Sequence, residues 1–135
     1  MKLKSLLLVA LVTASASSAS ASDAGTRQAV ANGVSKGLGQ FVSVYRETGM
    51  AGVEEAVTAC YQQQKGKPTV GGIAECAAMD KRAGDEDAVF SSQYGTPKVQ
   101  FFVGSKPAKR MKAAIKGLKL DDVGRKVLLD AINEV

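Results

Sequence analysis

The stretch Val53–Asp80, VEEAVTACYQQQKGKPTVGGIAECAAMD, decides the fold. In its first half Val53, Val57, Cys60, Tyr61 and Gln64 recur at spacings of three and four, the period of one helix face. Lys65-Gly66-Lys67-Pro68 then breaks the pattern, since glycine and proline both interrupt helices. Ile73, Cys76, Ala77 and Asp80 resume it in a third, short helix. Two helices joined by so short a loop pack antiparallel, apolar face to apolar face. Cys60 and Cys76 both fall on those faces.

Upstream, Val30, Val34, Leu38, Phe41, Val42 and Tyr45 repeat at three and four between Thr26 and Tyr45, which predicts a first helix ended by Gly49. Downstream, Asp85–Tyr94 reads as a fourth helix stopped by Gly95 and Pro97. Val99–Val103 is the one run with strand character, a short extended segment. Ser105 and Pro107 open a helix in which Ala108, Met111, Ile115 and Leu118 are followed one position behind by Lys109, Lys112, Lys116 and Lys119. Asp121 caps a last helix carrying Val123, Val127, Leu128, Ala131 and Ile132. The fold class expected is therefore all-α: a small single-domain bundle of about five to six short helices.

The N-terminus has the composition of an export signal. Lys2 and Lys4 precede the apolar run Leu6–Val12, and Ala19-Ser20-Ala21 forms an A-x-A site, so cleavage is expected between Ala21 and Ser22. Residues 1–21 are then a removable signal peptide and residues 22–135 a single helical domain. The apolar run is far short of the ~20 residues that span a bilayer, so a soluble periplasmic or secreted protein is expected rather than an integral membrane protein. In an oxidising compartment the two cysteines form one intramolecular disulfide, Cys60 to Cys76. A zinc site lacks two further ligands, and a redox pair has Cys-x-x-Cys spacing.

Several motifs resemble catalytic signatures and fail on context. Gly33-Val34-Ser35-Lys36-Gly37 matches the G-x-S-x-G nucleophile elbow, but the elbow needs a preceding strand and a histidine base. The chain has no histidine, and the residues before Gly33 are helical in period. Ser35 and Lys36, as helix neighbours, point about 100° apart and form no dyad. The glycines are read instead as small contacts that let a second helix approach. Gly66-Lys67 lacks the first glycine and the hydroxyl of a phosphate loop, with Tyr61 and Pro68 in those places. Tyr61 and Lys65 have dehydrogenase spacing without a dinucleotide-binding unit. The carboxylates Glu54-Glu55, Asp85-Glu86-Asp87 and Asp121-Asp122 diverge on helices and lack the register of a calcium loop. No catalytic residue, metal or cofactor is expected, and the protein is read as non-enzymatic.

Charge is the remaining asymmetry. Residues 22–97 carry 7 basic and 9 acidic side chains, whereas residues 98–135 carry 9 basic and 4 acidic. The positive excess therefore concentrates in the last two helices, and export disfavours nucleic acid as its partner. Lys109, Lys112, Lys116 and Lys119, with neighbouring Phe101 and Phe102, are the candidate partner-binding residues; one phenylalanine is expected inside and the other free to anchor a partner. The partner expected is another envelope or exported protein with an acidic surface. An export signal followed by about 110 helical residues and one disulfide resembles in format immunity proteins that block cell-wall-cutting toxins, and also acid-stress chaperones; the likeness carries over no residues. The reading is an inhibitor or immunity-type binding protein acting by protein–protein contact, with a chaperone-like or envelope-stress protein as the alternative.

Overall fold

A computed structural model describes residues 21–135, which form four helices: α1 (Ala21–Gln64), α2 (Val70–Tyr94), α3 (Lys106–Ile115) and α4 (Asp122–Asn133). The expected export signal lies outside the described residues apart from Ala21, which begins α1.

α1 is bent back on itself at Gly49, where φ of 68° and ψ of −163° interrupt the helix. A side chain is strained at such a positive φ, and glycine is not. The two halves follow α2 in opposite directions. Before the bend Gly33 lies against Gly71 and Gly37 against Glu75, and the Arg82 guanidinium sits 5.9 Å from the centre of the Phe41 ring. After it, Cys60 is bonded to Cys76 and Gln64 receives the Thr69 N–H at 3.0 Å. The first half thus runs parallel to α2 and the second antiparallel. Glycines make the first contact close: a Cβ on Gly33 would fall 2.2 Å from the Gly71 carbonyl oxygen, and one on Gly37 2.2 Å from that of Glu75.

α2 starts at Thr69, whose hydroxyl accepts the Gly72 N–H, and ends at Gly95 with φ of 65°. The expectation of five to six short helices is corrected to four. The backbone does leave helical φ/ψ at the predicted stop Gly49, but the stretches on either side follow each other directly and count as one element, and no break separates Asp80 from Asp85. Ion pairs at i,i+4, Lys81 to Asp85 and Arg82 to Glu86, cross that position. Gly84 there stays helical and makes no turn; a Cβ on it would meet Pro107 at 3.5 Å and the Phe102 carbonyl oxygen at 3.6 Å, ordinary contact distances.

The extended segment at 99–103 is also corrected: the described residues hold no strand, and this stretch is a series of turns. Phe102 N–H donates to the Val99 carbonyl at 2.9 Å, while Val99 N–H donates to Asp87 at 3.0 Å. With no second strand to pair with, the backbone groups are satisfied locally and by a side chain from α2. Asp121 caps α4 through the Gly124 N–H at 2.8 Å, as its position predicts.

α2 contributes to two adjoining apolar clusters. Ile73, Ala74 and Ala77 pack with Val30, Met111, Ile115, Leu128 and Ile132. Cys76, Met79 and Ala83 pack with Phe41, Val53, Val57, Cys60 and Phe102. The disulfide Cys60–Cys76 lies inside the second cluster, as the placement of both cysteines on facing helix sides predicts.

Candidate functional site

α3 divides its cations between the interior and the solvent. Arg110 turns inward: its Nε and Nη2 donate to the two carboxylate oxygens of Asp80 at 2.8 and 2.6 Å, and its Nη1 donates to the Phe101 carbonyl at 2.9 Å. The guanidinium carbon lies 3.7 Å from the centre of the Phe101 ring, which adds a cation–π contact. Lys109, Lys112 and Lys116, with Lys119 in the turn beyond α3, stay exposed and form no ion pair among the described residues. The planar fork of arginine suits a bidentate carboxylate contact, whereas the strongly hydrated ammonium of lysine favours water.

Asp80 is only 1% exposed, one turn beyond Cys76 on the buried face of α2. Burial pushes its carboxyl above the ordinary range, and the Arg110 guanidinium pulls in the opposite direction. The Tyr61 hydroxyl is also buried and has no hydrogen-bond partner. Its pKa is raised, first by burial and then by the negative charge of Asp80. This ionic cluster locks α3 and the preceding turns onto α2 and so fixes which face of α3 carries the lysines.

The two phenylalanines are separated by this arrangement. Phe102 is 3% exposed and belongs to the core, so it cannot anchor a partner; Phe101 is half-buried beneath Arg110. Their rings meet edge to face at 4.9 Å. Of the candidate partner-binding residues, the structure thus presents the four lysines together and draws the aromatic pair inward. Exposed aromatic surface lies instead at the end of α2, where the Phe90 and Tyr94 rings meet at a tilt of 41° with their centres 5.0 Å apart.

The remaining sequence motifs are placed as helix surface or packing. Ser35 is exposed between Gly33 and Gly37, both buried against α2, and neighbouring Lys36 pairs with Glu75 at 2.9 Å. Gly66 and Lys67 occupy the exposed turn between α1 and α2. Asp85 and Glu86 make the i,i+4 pairs described above, and Asp87 holds Val99. Among the described residues no three histidine, cysteine, aspartate or glutamate side chains converge as metal ligands. No helix among them is long and apolar enough to cross a membrane.

Sequence reasoning missed the Asp80–Arg110 pair, although two signals were present. Asp80 falls in register with Ile73, Cys76 and Ala77, a carboxylate on an apolar face, and Arg110 is the single arginine in a helix otherwise supplied with lysines. Comparison of the chain with protein-family models, with curated proteins and with solved structures finds no match.

Proposed function

We propose that this protein is a small exported, non-catalytic binding protein of the inhibitor or immunity type, and that it recognises an acidic surface on another envelope or exported protein through Lys109, Lys112, Lys116 and Lys119. The observation that carries the reading is the split on α3: one arginine is spent on a buried carboxylate, while four lysines remain exposed and without an ion pair among the described residues. Such a face raises the rate of encounter with an acidic partner and tunes specificity more than it adds affinity. The disulfide supports export, since such bonds persist in oxidising compartments.

The test compares wild type with a variant carrying Lys→Gln at positions 109, 112, 116 and 119. Each is used to capture protein from envelope extract, and association with the captured species is then timed across salt concentrations. One stoichiometric partner is expected for wild type, with association that slows as salt rises; the variant should associate slowly at all salt concentrations. Many weakly held clients would favour a chaperone. Equal association rates for the two proteins would remove the lysines from recognition.

A further inference from the structure

A cleft of about 430 Å³ lies between α2, the turns after it, α3 and the end of α4. That volume falls within the usual range of small-ligand pockets. Ala77, Phe102, Met111 and Ile132 are buried core residues that form its apolar floor. Lys81, Asp85, Asp87 and Lys98 also line it, so the charges of its wall balance. Lys81 and Asp85 satisfy each other in an ion pair of 2.6 Å. Asp87 and Lys98 are left, opposite in sign, and neither has a charged partner among the described residues.

Asp87 is only 8% exposed. One of its carboxylate oxygens accepts the Val99 N–H at 3.0 Å, while the other takes no hydrogen bond among the described residues and keeps some access to solvent. Buried charges are ordinarily paired, so a carboxylate this deep with one neutral donor is an exception. Lys98 does not pair with it, although it directly precedes Val99 in the chain; its side chain is exposed. A buried anion and an exposed cation thus stand close together beside an apolar floor.

We infer that this cleft binds a small zwitterion with an apolar side chain, the chemistry of a free hydrophobic amino acid. The ammonium meets Asp87, the carboxylate meets Lys98, and the side chain rests on Ala77, Phe102, Met111 and Ile132. An α-amino acid carries both charges on one carbon, which suits two side chains held this near each other: the residue after Lys98 is the one whose N–H sits on Asp87. A simple cation or anion would answer only one of the two charges, and a neutral apolar molecule neither. The inference is independent of the lysine face, since none of Lys109, Lys112, Lys116 and Lys119 lines the cleft.

The experiment is an NMR titration of the isotopically labelled protein with four ligands. L-leucine has both charges and an apolar side chain, N-acetyl-L-leucine lacks the ammonium, L-leucinamide lacks the carboxylate, and glycine lacks the side chain. Leucine is expected to shift the amides of Ala77, Ala88, Lys98 and Met111 at millimolar concentration. It should bind roughly tenfold tighter than each of the other three, since each lacks one charge-assisted contact or the apolar one. Asp87→Asn keeps an acceptor for the Val99 N–H and should weaken leucine without weakening N-acetyl-leucine. Lys98→Gln should weaken leucine but not leucinamide.

The ligand series on wild type decides the matter even if a variant fails to fold. Leucine binding no tighter than N-acetyl-leucine or leucinamide means that one of the charges is not read, and overturns the inference. Binding no tighter than glycine removes the floor from recognition and overturns it equally, as does the lack of any shift at the cleft amides. The variant with Lys→Gln at positions 109, 112, 116 and 119 should bind leucine as wild type does, so failure of the lysine-face reading leaves this result standing.

Discussion

The carboxylate of Asp80 and the guanidinium of Arg110 face each other through two parallel hydrogen bonds, 2.8 and 2.6 Å long, across a separation of 30 residues in sequence. Asp80 belongs to the middle of α2 and Arg110 to the middle of α3, so the pair ties the outermost lysine-bearing helix to the central one. A buried ion pair adds little net stability, because desolvation offsets most of the attraction, but it fixes geometry firmly. Here it sets the rotation of α3 about its own axis. Met111 and Ile115 turn inward with Arg110, and Lys109, Lys112 and Lys116 are left on the outside.

Removing one member of the pair should therefore cost far more than removing both. Arg110→Met leaves Asp80 buried without its counter-charge and should lower stability by about 3–5 kcal/mol at neutral pH. Burial already holds the Asp80 carboxyl above its unfolded value, and loss of Arg110 pushes it higher still. A carboxyl raised in the folded state favours folding below its unfolded pKa, and that contribution is lost as pH rises through the folded one. The gap between wild type and Arg110→Met should accordingly narrow as pH falls toward 4, and the double variant Asp80→Asn with Arg110→Met should recover part of the loss at pH 7. Urea denaturation at several pH values measures both. A gap independent of pH would mean that Asp80 is not the group left uncompensated.

Tyr61 makes the opposite prediction at the alkaline end. Its buried hydroxyl lacks a partner, and an unsatisfied buried hydroxyl costs roughly 1–3 kcal/mol. Tyr61→Phe should leave stability unchanged or raise it by about 1 kcal/mol. Because the folded pKa is raised, its contribution is intact below the unfolded value near 10 and is lost as pH rises beyond it, when the unfolded chain ionises first. Thermal midpoints of the two proteins should therefore diverge above pH 10, with wild type falling faster. Parallel curves would show that the Tyr61 hydroxyl titrates alike in the folded and unfolded chain.

The disulfide joins cysteines 16 positions apart in sequence and closes a loop that contains the α1–α2 turn. By the chain-entropy estimate such a loop contributes about 3 kcal/mol, which for a domain of this length corresponds to roughly 10 °C in thermal midpoint. Replacing Cys60 and Cys76 by serine should lower the midpoint by that order while keeping the helical circular-dichroism spectrum. Both sulfurs lie in the apolar cluster with Met79 and Val57, so the serines add a polar burden and the shift should be at least as large as that from reduction alone. An unchanged midpoint after verified reduction would show that the helices hold their pairing without the bond.

Periodicity made the helices legible, along with the Asp121 cap and the Gly95 stop, because each depends on residues within one or two turns of each other, and the cysteine pairing was legible because the chain has only two cysteines. Helix count was not legible. Whether a glycine such as Gly49 or Gly84 interrupts its helix is set by the backbone conformation it takes in the folded chain, which its sequence neighbours alone do not settle. Gly49 takes a positive φ and bends the chain back, whereas Gly84 stays helical beneath Phe102 and Pro107. The lysine stripe was visible as a pattern, but the fate of Phe101 and Phe102 was not. Their burial follows from Arg110 reaching Asp80, a contact between distant segments that no local period encodes.

The glycines of α1 offer the sharpest test of the packing, because the same substitution should have opposite signs within six residues of sequence. In an exposed helix Gly→Ala stabilises by about 0.5–1 kcal/mol, through reduced freedom of the unfolded chain and better helix propensity. Gly39→Ala should show this gain, since an added Cβ there meets nothing within 4 Å. At Gly33 and Gly37 the same Cβ would fall 2.2 Å from the backbone oxygens of Gly71 and Glu75, and backbone cannot rotate away as a side chain can. Each of those substitutions should force α1 and α2 apart and cost on the order of 1–3 kcal/mol, as overpacking does elsewhere. Denaturant midpoints of the three single variants decide the matter: a gain at Gly33 or Gly37 equal to that at Gly39 would mean that these helices do not meet through their glycines.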